Sequence, residues 1–170
     1  MSTQWVARER CPFFGEIAVT AFEPWKEVRT SAPSRASAVT QTPRAAMMQV
    51  YERSGGLARS HEVVCMLRRH TSQPVSLLAR WIVAQNVVSF EWRADRLLPM
   101  FQFDPADMSI RADVAAVLAE LDGTFDDWEL ATWFAEPNVW LQGGTPVDAL
   151  EVDPRAVRAA ARADRFIARG

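Results

Sequence analysis

This chain has little of the chemistry that metal sites, disulfide frameworks and membrane anchors require. Its 170 residues include two cysteines and two histidines, and no apolar run approaches the roughly 20 residues of a transmembrane helix. Cys11 and Cys65 are far apart in the chain, which favours a reducing compartment over a disulfide scaffold. The N-terminal stretch 1–10 lacks the apolar segment of a secretory signal. We therefore expect a cytoplasmic protein that does not enter a membrane.

Motifs for catalysis and cofactor binding are also missing. Gly143 and Gly144 stand alone and open no phosphate-binding loop, and no nucleophile motif of the GxSxG type occurs. His61 and Cys65 are four residues apart and could share a metal, but two ligands are too few for a closed site. A partly buried cysteine and a surface histidine are the simpler interpretation. We expect no enzymatic activity, no metal and no cofactor.

What the sequence does contain is a large apolar fraction and an uneven distribution of charge. Hydrophobic residues make up 49% of the chain, with seven Trp and nine Phe, which is typical of a folded core. The net charge is +2 in residues 1–44, +3 in residues 45–100 and −7 in residues 101–170. This partition favours separate modules; the alternative is that surface charge simply fluctuates along the chain. We predict a poorly ordered extension over 1–44, a module over 45–103 and a helical domain over 104–170.

The middle module carries two helix signals followed by a strand pair. A helix is predicted from Pro43 to Arg53, another is capped by Ser60, and a third begins at Pro74. The β-branched and aromatic residues of 87–101 then predict a hairpin, whose returning strand should lie at a sheet edge because it contains Pro99. This order is the plan of a winged helix-turn-helix, or alternatively a scaffold without DNA contacts. The fold class expected for the chain is mainly α, made of small helical modules with one β-hairpin.

If the module binds operator DNA, its second helix enters the major groove and nearby cations contact phosphates. The DNA-binding residues predicted on this basis are Ser76 and Arg80 in the groove, with Arg68, Arg69, Arg93 and Arg96 at the backbone.

Further helices are predicted in the C-terminal third. Asp126 or Asp127 caps one of them, and Asp153 caps the last, with Pro154 at its first position. The last helix carries arginines at spacings of three and four, so that they share one face. We expect this stripe either to pair with carboxylates of its own domain or to contact a protein partner.

Residues 128–150 contain a distinctive turn, and their sequence is WELATWFAEPNVWLQGGTPVDAL. Pro137 ends a helix, Asn138 is suited to capping the turn, and Pro146 begins a short helix. Gly143 or Gly144 should adopt a positive φ because the chain must reverse tightly between the two prolines. Large apolar side chains surround this turn, and we expect Trp140 to be partly exposed.

The pattern Pro-Asn-x-x-Leu-x-Gly-x-Thr-Pro within this stretch resembles the core of the Xre/MbcA/ParS-type toxin-binding domain of bacterial antitoxins. The resemblance covers about residues 110–170, and the upstream segment 97–103 is similar to a P-x-F-Q-F motif in a longer branch of that family. Two features depart from the family: the middle module looks more like an excisionase-type winged module than an Xre helix-turn-helix, and residues 151–154 replace the usual Thr-x-x-Gly.

The resemblance implies an antitoxin that binds and neutralises a cognate toxin, with a RES-like, NAD-consuming toxin as the expected partner. Operator DNA and a second copy of the chain, forming a homodimer, are further expected partners. The alternative function is a stand-alone DNA-binding transcriptional regulator whose C-terminal domain only dimerises. The predicted toxin-binding residues, from the turn and the arginine stripe, are Trp133, Pro137, Asn138, Trp140, Leu141, Gly143, Gly144, Pro146, Arg158, Arg162 and Arg165.

Overall fold

A computed structural model of the chain describes residues 8–11, 15–18 and 43–170. Within these ranges the protein is mainly helical with a small antiparallel sheet, which confirms the predicted fold class. Strands β1 (Arg8–Cys11) and β2 (Gly15–Ala18) pair antiparallel in the N-terminal extension. The rest of that extension, where poor order was predicted, lies outside the described residues.

The elements from residue 43 onward alternate between helices and short strands before the chain becomes wholly helical. The first six are α1 (Pro43–Arg53), β3 (Leu57–Arg59), α2 (Ser60–Leu67), α3 (Pro74–Val83), β4 (Phe90–Trp92) and β5 (Asp95–Pro99). The remaining helices are α4 (Ala112–Leu121), α5 (Asp127–Ala135), α6 (Pro146–Ala149) and α7 (Pro154–Arg169). Two 3₁₀ turns, Met100–Gln102 and Val139–Leu141, connect elements within this order.

Side-chain caps mark the starts of α5, α6 and α7. Asp126 caps α5, where its side chain accepts from the backbone N–H of Glu129, and Asp153 caps α7. The prediction that Ser60 caps α2 is wrong, because Ser60 is the first helical residue and its Oγ donates to the carbonyl of Arg96 at 3.0 Å. The carboxylate of Glu62 instead accepts the backbone N–H that precedes the helix.

The three-stranded sheet has the order β3-β5-β4, with both pairings antiparallel. The returning strand of the hairpin is therefore central, and the prediction that Pro99 marks an edge is wrong. The short strand β3 supplies the missing neighbour, since Leu57 lies opposite Pro99. Pro99 is the last residue of β5, and the next backbone N–H, that of Met100, donates to the carbonyl of Gly56 at 2.9 Å. A proline at this end interrupts no ladder in the middle of the strand.

The sheet separates two apolar clusters. Leu97 points into a large cluster that includes residues of α1, α4, α5, α6 and α7. Its neighbour Leu98 points to the opposite face, where a smaller cluster joins α2 and α3 to the sheet, as the period of two in a strand requires. The large cluster draws residues from both sides of position 103, where the middle module was predicted to end.

Helix α1 belongs to this large cluster. Met47, Met48 and Tyr51 are buried, and the hydroxyl of Tyr51 donates to the carbonyl of Ala131 in α5 at 2.5 Å. Burial raises the pKa of Tyr51 well above its ordinary value. The predicted helix Pro43–Arg53 is thus confirmed, and it is fastened directly to the C-terminal helices.

Gln102 is a fully buried polar side chain that satisfies three backbone groups. Its Oε1 accepts the N–H of Val88 at 2.7 Å, and its Nε2 donates to the carbonyls of Val88 at 2.9 Å and Pro99 at 2.8 Å. These bonds hold the segment before β4 against the end of β5. The glutamine of the P-x-F-Q-F segment therefore has a structural task.

Cys65 on α2 is disulfide-bonded. The expectation of reduced cysteines, which rested on their separation in the sequence, is wrong for this residue, because separation along a chain does not measure distance in its fold.

Among the helices within the described ranges, none has the length and apolar character needed to cross a membrane.

Candidate functional site

The segment between α5 and α6 folds into a closed turn that begins at Asn138. The carbonyl of Asn138 accepts the N–H groups of Leu141 at 3.1 Å and Gly143 at 3.0 Å, while its own N–H donates to the carbonyl of Gly144 at 3.0 Å. Its side-chain Oδ1 accepts the N–H of Trp140 at 2.9 Å. Asn138 thus caps the turn from both its backbone and its side chain, as its residue type favours.

Two consecutive residues of this turn adopt left-handed conformations. Gln142 has a φ of 56° and Gly143 a φ of 82°, so the prediction of a positive φ is confirmed for Gly143. Gly144 does not share this conformation, but a Cβ there would lie 3.2 Å from the carbonyl oxygen of Leu141. Backbone geometry therefore favours glycine at position 143, and a tight contact with the backbone favours it at position 144.

The carboxylate of Asp164, on α7, fastens this turn to the last helix. Its Oδ2 accepts the indole N–H of Trp133 at 2.8 Å and the amide of Asn138 at 2.7 Å, and its Oδ1 accepts the indole N–H of Trp140 at 2.8 Å. One carboxylate thus holds two tryptophans and the capping asparagine. We call residues 137–144, held in this way, the Asp164 turn.

The tip of the Asp164 turn is apolar and exposed. Val139 is 83% exposed and Trp140 is 53% exposed, which confirms the expectation for Trp140. Trp133 and Leu141 are half-buried and pack against the large cluster. The predicted toxin-binding set therefore divides into an exposed tip and supporting residues, among which Pro146 is buried.

The predicted arginine stripe of α7 lies against a single carboxylate of α4. Glu120 is bonded to Arg158 at 2.9 Å and to Arg162 at 2.8 Å, and it lies 3.3 Å from Arg165. The hydrogen bond from Arg162 lowers the pKa of Glu120 to about 2, against the opposing effect of burial. The structure thus contains the intradomain pairing that was one of the two expectations for this stripe.

The predicted DNA-binding residues of the middle module fall into two groups. Ser76 and Arg80 are exposed on α3, between the exposed Val75 and Val83. Arg96 instead donates to Asp127 of α5 at 2.7 Å and to Glu91 at 3.1 Å.

The other three cations of that set are at chain turns. Arg68 and Arg69 follow α2 and are exposed, and Arg93 lies in the two-residue turn of the hairpin with a φ of 56°. Each of the three also interacts within the chain. Ser76 and Arg80 therefore lie together on one helix face, whereas Arg96 is bonded to a C-terminal helix.

Asp164 and Glu120 are the site residues that the sequence analysis did not identify. Asp164 is the only acidic residue within α7, and Glu120 follows a run of alanine, valine and leucine in α4. A single acid in such surroundings is a usable signal for a buried or paired carboxylate. Their partners are 24 to 45 residues away, so the sequence alone could not name them.

Across the part of the chain that the structure describes, no three or more His, Cys, Asp or Glu side chains form a group that could hold a metal ion. Comparisons of the chain with protein-family models, curated proteins and solved structures find no match.

Proposed function

We propose that this chain is an antitoxin-like protein that binds and neutralises a cognate toxin through the Asp164 turn. The observation that carries the proposal is the exposed apolar tip formed by Val139 and Trp140. A tryptophan that is both exposed and held in place is typical of the anchor residues that dominate protein interfaces.

The hydrogen bonds behind the tip support this role. Trp140 is restrained by its indole bond to Asp164 and by its backbone bond to Asn138. A side chain that is already ordered loses less conformational entropy on binding, so more of its contact energy contributes to affinity. The turn is therefore suited to presenting an apolar anchor to a groove in a partner.

The identity of the toxin is taken from the sequence resemblance, which implies a RES-like, NAD-consuming protein. In this proposal the chain acts by occlusion and catalyses no reaction, and it forms a homodimer. Cytoplasmic location also belongs to the proposal. The disulfide at Cys65 weighs against it, because reducing compartments keep most thiols reduced.

The test uses the product of the open reading frame adjacent to this chain's gene. That product should arrest growth when expressed alone, and this chain should restore growth and co-purify with it. The double variant Val139→Ser, Trp140→Ser should lose both effects. Val75→Ser, Val83→Ser removes comparably exposed side chains from α3 and should keep them. Restoration of growth by the turn variant at wild-type level would contradict the proposal.

A second candidate function is DNA binding by the middle module, alone or as autoregulation. The observation that favours it is the order of α2, α3 and the β4–β5 hairpin, with Ser76 and Arg80 exposed on α3. The purified chain should then shift its upstream promoter fragment in a gel, with an affinity that falls as salt rises. Arg80→Ala should weaken the shift, and absence of any shift at low salt would exclude this function.

A further inference from the structure

We propose that the outer side of α7, which packs on α4, is a second contact surface for the protein partner, and that it recognises an acidic region of that partner. The inference rests on the proposed function, which it deepens by naming the chemistry of the partner. We call this surface the arginine face, and it consists of Arg155, Arg158, Arg162, Arg165, Phe166 and Arg169.

Acidic residues are excluded from the outer side of both helices, although residues 101–170 are rich in them. Every acidic side chain of α4 and α7 bonds to another residue of the chain. Asp113 pairs with Arg111, Glu120 pairs with the arginines, and Asp164 accepts hydrogen bonds from the Asp164 turn. The exposed residues of α7 are arginine, alanine, phenylalanine and isoleucine, and those of α4 are alanines. This surface therefore differs in sign from the rest of its domain.

Glu120 leaves most of the positive charge of the arginine face uncompensated. Three guanidinium groups meet this one carboxylate, which leaves two positive charges beyond neutrality. A guanidinium has five N–H donors, and the bond from Arg162 to Glu120 involves one terminal nitrogen. Each arginine thus retains donor capacity for carboxylates of a partner, which a planar guanidinium can engage in pairs.

The same contacts order the arginines before any partner arrives. The side chains of Arg158 and Arg162 are 52% and 60% exposed, whereas that of Glu120 is only 10% exposed. Exposed arginines normally lose rotamer freedom when they bind, and this loss opposes association. Glu120 already bonds the guanidinium groups of these arginines in the free chain. Part of their side-chain entropy is therefore lost on folding, and less remains to be lost on binding.

The exposed Phe166 and the net charge of the domain together favour a protein partner over DNA. Phe166 is 79% exposed and lies one helical turn from Arg162, so that an aromatic ring adjoins the cations. Arginine together with aromatic residues is typical of protein interfaces. A long polyanion such as DNA would also be repelled by the surrounding domain, whose net charge is −7. A compact acidic patch on a protein fits this face better.

The test measures binding of the purified adjacent gene product to the full chain over a series of salt concentrations. Arg158→Ala, Arg162→Ala leaves Arg165 beside Glu120, so the carboxylate keeps a partner. This variant should lose affinity on the order of ten-fold at low salt, mainly through slower association, and show a weaker salt dependence. Arg53→Glu makes the same change in net charge at an exposed position of α1 and should bind like the wild type.

Glu120→Gln separates recognition from folding. It removes the carboxylate that pairs with α7 and should lower the melting temperature, yet it keeps every arginine. Affinity should therefore fall only slightly, because the arginines keep their charge and lose only the ordering that Glu120 gives them. If Glu120→Gln loses as much affinity as the double arginine variant, the loss reflects the fold and the inference is overturned.

The outcomes also separate this inference from the proposed function. If the wild-type chain forms no complex with the adjacent gene product, both fail together. If the complex depends on Val139 and Trp140 but is unaffected by Arg158→Ala, Arg162→Ala at every salt concentration, only the arginine face is refuted. Binding of a labelled DNA duplex that is lost in the arginine variant would assign the face to nucleic acid and overturn the inference as well.

Discussion

At the scale of single residues, a few polar side chains carry out tasks that span long stretches of the chain. Gln102 joins the end of β5 to the segment before β4, and Asp164 joins α7 to the turn after α5. Both receive or donate several hydrogen bonds, and most of their partners are backbone groups or neutral side chains. Their loss would leave buried polar groups without partners, which is a larger cost than losing one exposed bond.

Gln102→Leu tests this at the fully buried position. The substitution removes three hydrogen bonds and leaves the N–H and carbonyl of Val88 buried and unpaired. Because each unsatisfied buried group costs about 1–3 kcal/mol, we expect the free energy of unfolding to fall by roughly 3 kcal/mol or more. Urea denaturation followed by circular dichroism measures it. A loss below about 1 kcal/mol would show that the clamp has little energetic role.

Gly143→Val should destabilise the fold, whereas Gln142→Gly should not. Gly143→Val places a branched side chain at a φ of 82°, although a Cβ there has open space. The cost is therefore that of the backbone alone, about 1–2 kcal/mol. Gln142→Gly should be neutral or slightly stabilising, because glycine tolerates the left-handed conformation. Thermal melts of both variants measure these effects. A melting temperature of Gly143→Val equal to that of the wild type would contradict this account.

At the scale of elements, helix boundaries followed from local signals. Pro43, Pro74 and Pro154 begin helices as the sequence predicted, and Asp126 and Asp153 cap theirs. Each of these features depends on the few residues around it, since a cap or an initial proline acts within one helical turn. The closed turn around Gly143 was predictable for the same reason.

Elements and contacts that depend on distant partners could not be predicted in this way. Strand β3 has three residues and exists as a strand through its pairing with β5, about 40 residues later. The ordered arginines of α7 likewise depend on Glu120, 38 or more residues earlier. Their spacing on one helix face could be predicted, but the carboxylate opposite could not, so two expectations for the stripe stayed open until the packing of α4 on α7 was known.

The contact between α4 and α7 should make stability depend on pH. The arginines lower the pKa of Glu120 from 4.5 to about 2 in the folded chain, so folding favours its ionised form. This contribution is complete above the unfolded pKa and is lost as the pH falls from about 5 towards 2. Glu120→Gln removes it. The difference in melting temperature between wild type and variant should be largest near neutral pH and shrink over that acidic range; a constant difference would contradict the assignment.

At the scale of the whole molecule, the predicted modules share one large apolar cluster. Leu97 of the hairpin and Phe134 of α5 both belong to it, together with Tyr51 of α1. When one of two packed elements unfolds, the apolar surface of the other becomes exposed, so the two elements unfold together. The sheet and the C-terminal helices should therefore behave as one cooperative unit.

Calorimetry of the chain with its disulfide intact tests this cooperativity. We expect one main transition whose van't Hoff and calorimetric enthalpies agree. Leu97→Ala and Phe134→Ala, on opposite sides of position 103, should each lower its midpoint, with a loss of about 2–5 kcal/mol. Val83→Ala is a suitable control because Val83 is 85% exposed. Two separate transitions, each sensitive to only one of the core substitutions, would show independent domains.

The alternation of Leu97 and Leu98 makes the length of the hairpin unusually consequential. These neighbours face different clusters on the two sides of a central strand that is paired along both edges. An insertion of a single residue before Leu97 would turn each leucine towards the other cluster and misalign both ladders at once. Conservative exchanges of either leucine alter only the volume of a side chain. A change of strand length before Leu97 should therefore be tolerated far less well than a change of residue type at Leu97 or Leu98.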